Sequence, residues 1–180
     1  MHIFRAIITR RSAKKNGVPM DFIVKYFVTF FGVGLAKKAP GTWGTLATVP
    51  LVLILSAAGP VIYMSVTVLL IALAILASEM YEKKKGGHDH KEIVIDEVVG
   101  FLITMTWLPM TWQSLALGFA LFRLLDIWKP LPIGYLDKKV QGGLGVVIDD
   151  VAAGIIASLI LQYLYSHTNW LGAQMVVFGG

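Results

Sequence analysis

The stretch FRLLDIWKPLPIGYLDKKVQGGLGVVIDDVAAG, residues 122–154, carries much of the ionic chemistry of an otherwise apolar chain. It begins and ends in apolar runs, and its charged and glycine positions lie between them: Arg123, Asp126, Lys129, Asp137, Lys138, Lys139, Gly142, Gly143, Gly145, Asp149 and Asp150. Acidic side chains are costly inside a bilayer and mark functional sites there. We therefore expect these side chains to meet at a membrane surface.

The composition indicates an integral membrane protein. Of 180 residues, 56% are hydrophobic and 15% are charged, and the mean hydropathy is +0.70. We expect a basic cytoplasmic tail over residues 1–21, one membrane-embedded domain over residues 22–166, and a C-terminal tail over residues 167–180. The absence of cysteine excludes disulfides and thiolate chemistry. The basic residues flank apolar runs, which is typical of cytoplasmic loops and argues against nucleic-acid binding.

The first apolar segments predict one interfacial element and one helical hairpin. Residues 22–36 would form a helix of roughly 22 Å, too short for a span of about 20 residues, so we expect an interfacial or re-entrant segment. Residues 46–58 and 61–78 predict two membrane helices with a break at Gly59-Pro60. Thr42 is a candidate cap for the first of them. Lysines flank both feet of this hairpin, so we place its feet in the cytoplasm.

The remaining apolar segments predict a second, shorter hairpin and a final helix. Residues 98–125 are too long for one helix and contain Pro109, so we divide them at residues 107–112, where two tryptophans suit a membrane interface. The last helix is expected over residues 151–165. The chain is thus predicted to be an all-α, polytopic membrane bundle with short hairpins. In that arrangement the acidic pairs 96–97 and 149–150 lie at the same end of the bundle.

Five carboxylates are expected near one depth, at Asp96, Glu97, Asp126, Asp149 and Asp150. Such a group repels itself unless a cation neutralises it, and oxygen ligands beside a phosphate suit Mg²⁺. The hypothesis is that these five residues bind Mg²⁺ and take part in catalysis. Helix capping alone would explain one acid of each pair equally well.

Basic residues and glycines supply the candidate phosphate contacts. Arg123 would hold a phosphate through its planar fork, although with Asp126 it could also form an ordinary ion pair within one helix. Lys129 is either a second phosphate contact or an interfacial anchor. The further substrate-binding candidates are Thr42, Thr45, Lys138, Gly142 and Gly143. Glycine-rich turns at helix starts bind anions, but they also serve as plain turns.

The segment His88-Asp89-His90 has two open interpretations. Its imidazoles would bind a metal or transfer protons near neutral pH. Equally, the segment would be an ordinary solvated loop, and the sequence does not decide between these roles.

Three stretches taken together resemble the phosphatidylglycerophosphatase A family: GVGLAKKAPGTWGTLATVPL, GGHDHKEIVIDEVVG and the segment of residues 122–154. The resemblance covers about residues 30–160. It implies a lipid phosphatase of the bacterial inner membrane, with its active site facing the cytoplasm. That enzyme would convert phosphatidylglycerophosphate to phosphatidylglycerol and phosphate with Mg²⁺. The positions that match the family pattern are Asp96, Glu97, Arg123, Asp126, Lys129, Asp149 and Asp150.

Several alternatives stay open at this point. Water or an aspartate would attack the phosphorus, and an aspartate would give a phosphoaspartyl intermediate. Glu97 or Asp149 would serve as general base. The competing functions are a phosphatidyl-group transferase and a divalent-cation carrier. A carrier is expected to place its acids near mid-bilayer rather than at one edge. Neither the oligomeric state nor the number of metal ions follows from the sequence.

Overall fold

The computed structural model describes residues 20–87 and 90–172, and those residues form helices without strands. Seven α-helices are α1 Met20–Val28, α2 Pro40–Ala58, α3 Pro60–Lys85, α4 Ile95–Thr104, α5 Trp112–Trp128, α6 Ile133–Lys139 and α7 Gly142–His167. A 3₁₀ turn, Val33–Leu35, joins α1 to α2. The all-α prediction is confirmed. The two predicted tails fall mostly outside the described residues.

Three of these helices are long and apolar enough to cross a membrane, namely α2, α3 and α7. In contrast, α4 has 10 residues and a length of about 15 Å, which is half the thickness of a hydrocarbon core. It is therefore held inside the bundle instead of spanning. α1 has nine residues and is also too short to cross. Its exposed side chains include Phe22 and Tyr26, as expected of an interfacial segment.

The first hairpin forms where its turn was predicted. Gly59 stands alone between α2 and α3 with a φ of 99°, a conformation that glycine adopts at low cost. Pro40 and Pro60 occupy the starts of the two helices, where a missing N–H leaves no hydrogen bond unmade. The prediction that Thr42 caps α2 is wrong, because Pro40 starts the helix and the cap position is Ala39.

The predicted division of the second hairpin is confirmed. α4 ends at Thr104 and α5 begins at Trp112. The side chain of Thr111 caps α5 by accepting a hydrogen bond from the backbone N–H of Ser114 at 3.1 Å. This hairpin brings the start of α4 beside the end of α5, and each carries acidic residues.

The last helix differs from its prediction. It begins at Gly142 rather than at residue 151, so Asp149 and Asp150 lie about two turns inside α7. Gly142 and Gly143 form the first turn of this helix. A Cβ atom on Gly143 would lie 2.5 Å from the backbone nitrogen of Glu79, so glycine permits α7 to pack directly on α3. The glycines that suggested a loop therefore serve close helix packing.

The centre of the bundle is α4, whose side chains are buried almost all round, including Val98, Phe101 and Leu102. A helix that is apolar on every side belongs inside a protein. α4 crosses α7 where Gly154 meets the backbone oxygen of Gly100 with no room for a Cβ atom. Small residues allow two helix backbones to approach in this way. The crossing fixes the register between the acidic ends of the two helices.

Candidate active site

A cavity of about 760 Å³ opens at the end of the bundle where α4 begins and α5 ends. Its walls come from the first turns of α2 and α4, the last turns of α5, the short helix α6 and the first half of α7. Its charged lining residues are Lys91, Asp96, Glu97, Arg123, Asp126, Lys129, Asp137, Asp149 and Asp150. Six acids and three bases thus share one cavity. The six acids include all five carboxylates that the sequence led us to expect together.

The glycine crossing explains how Asp96 and Asp150 come together. Asp96 lies one turn before Gly100 on α4, and Asp150 lies one turn before Gly154 on α7. A Cβ atom on Gly100 would lie 2.8 Å from the backbone oxygen of Asp150, so the two helices touch at this level. The register places carboxylate oxygens of Asp96, Glu97 and Asp150 within 4.8 Å of one another.

A second group of acids also includes Asp150. Carboxylate oxygens of Asp126, Asp149 and Asp150 also lie within 4.8 Å of one another. Asp126 comes from the end of α5, and α5 is held against α4 because the ring of Phe122 packs on Gly100. Distant parts of the chain therefore converge on Asp150, which is only 3% exposed.

Several oxygens of these acids are buried without a hydrogen-bond partner among the described residues. They are Oδ1 of Asp96, Oε2 of Glu97 and Oδ1 of Asp149. Burying an ionised carboxylate oxygen unpaired is strongly unfavourable, and a bound cation would offset that cost. A set of oxygen donors without sulfur or imidazole suits Mg²⁺ or a similar hard cation. The residues present thus fit the predicted metal.

Arg123 is the central cation of the cavity. Its Nη1 atom lies 2.5 Å from Oδ2 of Asp126 and 3.5 Å from Oε1 of Glu97. The intrahelical pair with Asp126 is therefore present, and the side chain also reaches Glu97 on α4. Phosphate binding by Arg123 stays a prediction. The Nε–H of Arg123 is buried and has no acceptor among the described residues. One donor of this guanidinium is thus free for a ligand.

Lys129 joins three helices at the edge of the cavity. It ends α5 in the left-handed conformation, with a φ of 47°. Its Nζ atom lies 2.5 Å from Asp137 on α6 and 2.7 Å from Asp149 on α7. Burial lowers the pKa of Lys129, but the two carboxylates outweigh burial and raise that pKa above its usual range. Lys129 therefore stays protonated and compensates part of the acidic charge.

Gly41, in the first turn of α2, closes the cavity beside Glu97. A Cβ atom at this position would overlap Oε1 of Glu97 and lie 3.1 Å from Nη1 of Arg123. The start of a helix favours a nearby carboxylate electrostatically. The Pro-Gly-Thr segment thus contributes through its glycine backbone, and only Pro40 and Gly41 of that segment line the cavity.

Five substrate-binding candidates lie outside the cavity lining, and their expected positions need correction. The hydroxyl of Thr45 is buried and donates to the backbone oxygen of Gly41 at 2.9 Å. Thr42, in the same helix, does not line the cavity. Lys138 is exposed on α6. The first turn of α7 faces Glu79, which accepts a hydrogen bond from the N–H of Gly143 at 2.6 Å. Gly142 likewise borders Glu79, so the carboxylate of Glu79 lies against this turn.

Two charged residues of the cavity were missed as candidates, Lys91 and Asp137. Lys91 lies in the loop before α4, and Asp137 stands in a helix of seven residues that the sequence did not predict. The available signal for Asp137 was its position as the one acid among three lysines in residues 129–139. His90 lies against Tyr81, with ring centroids 6.0 Å apart, and does not line the cavity. His88 lies outside the described residues.

The chain matches a known protein family over most of its length. The family model described as Phosphatidylglycerophosphatase A matches residues 26–165. The chain belongs to the phosphatidylglycerophosphatase A family. The resemblance noted in the sequence is thereby confirmed, and family membership indicates a phosphatase, not a transferase or a cation carrier.

Individual relatives agree with this family assignment. A phosphatidylglycerophosphatase A of Escherichia coli K12 is 41% identical over 138 residues, which is 76% of this chain and 80% of the relative. One of Haemophilus influenzae Rd is 44% identical over 133 residues, covering 73% and 82% of the two chains. A putative phosphatidylinositol-3-phosphatase of Bacteroides thetaiotaomicron is 32% identical over 149 residues, covering 78% and 92%. No solved structure gave a significant match.

Proposed function

We propose that this protein hydrolyses phosphatidylglycerophosphate to phosphatidylglycerol and inorganic phosphate, with Mg²⁺, at the cytoplasmic face of a bacterial inner membrane. The observation that supports this most is the cavity at the bundle end, where five carboxylates of the hypothesis meet Arg123 and Lys129. It lies at the ends of helices that are apolar enough to span a bilayer. A lipid would keep its chains in the bilayer and place its phosphate in this cavity.

The acids of the cavity would hold the metal. Asp96, Glu97, Asp126, Asp149 and Asp150 supply the oxygen donors. Bound there, Mg²⁺ would supply electrostatic stabilisation of the charge that develops on the transferred phosphoryl group. Without a cation the same acids would repel a phosphate, so we expect the apo protein to be inactive.

Arg123 is proposed to bind the phosphate directly. Its Nη1 is occupied by Asp126 and Glu97, which fix the guanidinium plane, while its buried Nε–H lacks an acceptor. A phosphate oxygen would satisfy that donor with a charge-assisted hydrogen bond. Lys91, from the loop before α4, and Lys129 add positive charge at the rim. These three side chains would orient the phosphate monoester for attack.

Water is the proposed nucleophile. Asp149 accepts from Lys129 through Oδ2 and keeps Oδ1 unpaired, so that oxygen is placed to take a proton as general base or to bind metal. The alternative, attack by an aspartate, would leave a phosphoaspartyl enzyme. Rapid acid quench of labelled substrate tests this, because a stable protein-bound label would refute direct attack by water.

The substrate is tested with purified protein in mixed micelles. We expect phosphate release from phosphatidylglycerophosphate that requires Mg²⁺ and stops when EDTA removes it. The second substrate to assay is phosphatidylinositol 3-phosphate, because one relative carries that activity in its name. Faster hydrolysis of the inositol lipid would overturn the proposed substrate, and unchanged activity in EDTA would overturn the proposed metal.

The orientation is tested by labelling single cysteines, since the chain has none of its own. Lys91→Cys places a thiol at the cavity mouth, and Trp112→Cys places one at the opposite end of α5. In intact cells a membrane-impermeant maleimide should label Trp112→Cys and leave Lys91→Cys unlabelled until the membrane is broken. The reverse pattern would place the cavity in the periplasm.

A further inference from the structure

We propose that the cavity holds two divalent cations, which share the carboxylate of Asp150. The proposal rests on the proposed function, and it adds the number of ions and the residues of each subsite. The first subsite consists of Asp96, Glu97 and Asp150, and the second of Asp126, Asp149 and Asp150.

Two overlapping triads of acids define the two subsites. Each triad has carboxylate oxygens within 4.8 Å of one another, a span suited to one ion, and Asp150 is the member common to both. A carboxylate has two oxygens, so one side chain can serve an ion on each side. Asp150 is 3% exposed, and the crossing of α4 and α7 holds it within reach of both pairs of acids.

Each subsite also contains a buried carboxylate oxygen without a hydrogen-bond partner among the described residues. This observation is separate from the short distances between the acids. Oδ1 of Asp96 belongs to the first triad, and Oδ1 of Asp149 belongs to the second. The two residues are 9% and 6% exposed. A single ion in one triad would leave the unpaired oxygen of the other without a partner.

The net charge of the cavity also supports two divalent cations. Its lining has six carboxylates and three basic side chains, an excess of three negative charges when every group is ionised, as the acids are when they bind metal. One divalent cation would leave a net negative cavity, which repels the dianion of a phosphate monoester. Two would leave a net positive cavity that attracts it. Paired ions also clamp the attacking and leaving oxygens in other phosphoryl-transfer sites.

Mn²⁺ binding to the purified full chain tests this proposal without relying on activity. We expect two Mn²⁺ per chain by titration with electron paramagnetic resonance, with the spin–spin broadening of neighbouring ions. Asp126→Asn should retain one ion and lose the broadening, and Asp150→Asn should weaken both sites. Glu92→Gln is the control, because this nearby acid pairs with Tyr81 and Lys85 outside both triads, and its stoichiometry should stay at two.

Failure of this inference is distinguishable from failure of the proposed function. One Mn²⁺ per wild-type chain, in a preparation that releases phosphate from phosphatidylglycerophosphate, would overturn the two-ion site alone. Two ions that persist in Asp150→Asn would overturn the shared ligand. Two coupled ions without any lipid phosphate release would support this site and overturn the proposed substrate. Circular dichroism of each variant shows whether a lost site reflects a lost fold.

Discussion

Replacing Gly41 by alanine is a sharp test of the site, because the change adds one methyl group and no charge. The new Cβ atom would overlap Oε1 of Glu97 and approach Arg123. To reach an ordinary contact distance of about 3.5 Å, the carboxylate must move by more than about 1 Å. A misplacement of about 1 Å costs roughly 100-fold in rate, or about 2.7 kcal/mol of transition-state stabilisation.

The same substitution should have little effect on folding. Alanine is favoured over glycine in helices by up to about 1 kcal/mol, which offsets the cost of moving one side chain. We therefore expect kcat to fall about 100-fold, while the unfolding temperature changes by a few degrees at most. The assay is phosphate release from micellar phosphatidylglycerophosphate, alongside thermal denaturation followed by circular dichroism. Gly118→Ala is the matched control, because its Cβ atom would meet the flexible Met105 side chain, at 2.6 Å from Sδ, away from the cavity.

A double-mutant cycle separates the clash from other causes. Shortening Glu97 to aspartate lowers activity by itself but removes the atoms that the new methyl group meets. In the Glu97→Asp background, Gly41→Ala should therefore cost much less than 100-fold, since contacting residues are energetically coupled. Wild-type kcat in Gly41→Ala, or equal losses in both backgrounds, would refute the contact between α2 and Glu97.

Three further predictions concern the charged side chains. Asp96→Asn and Asp149→Asn should each reduce turnover by at least about 1,000-fold with the helical signal intact, because each removes a ligand charge while keeping the shape; activity near wild type would remove that residue from the site. Arg123→Lys should lower kcat by about 10- to 100-fold with normal expression, since an ammonium cannot pair with two acids and still offer a planar donor; unchanged kinetics would leave only a structural ion pair. Lys129→Met should lower the free energy of unfolding in EDTA by about 1–2 kcal/mol, a value discounted for the 28% exposed side chain of Lys129. Saturating Mg²⁺ should reduce this difference between variant and wild type. Differential scanning fluorimetry measures the last effect, and a stability loss of equal size in Mg²⁺ and EDTA would contradict it.

Features that depend on local interactions were predictable from the sequence. Features that depend on contacts between distant segments were not. The turns at Gly59 and residues 107–112 were predicted correctly, because proline, glycine and apolar length act locally. The start of α7 was predicted wrongly, because glycines considered without the neighbouring helices are typical of a loop. Only the neighbouring α3, whose backbone lies against Gly143, turns that glycine into a packing residue.

The site followed the same division. The local pattern of charge in an apolar chain was enough to single out the five acids, although Asp149 and Asp150 lie about two turns inside α7 instead of at its start. Sequence could not show that Gly41 lines the cavity or that Asp137 joins Lys129, since both contacts cross between helices. The hydroxyl of Thr45 donates a hydrogen bond to the backbone oxygen of Gly41, in the preceding turn of its own helix, instead of facing the cavity.

The two glycines at the α4–α7 crossing connect the fold to the chemistry. Gly100 and Gly154 line no part of the cavity, yet their contact sets the height of Asp150 relative to Asp96. An alanine at position 154 would overlap the backbone oxygen of Gly100, which no side-chain rotation can relieve. The helices would then separate, and the two halves of the carboxylate cluster would separate with them. Close helix packing in the membrane core is therefore a condition for holding so many like charges around one carboxylate.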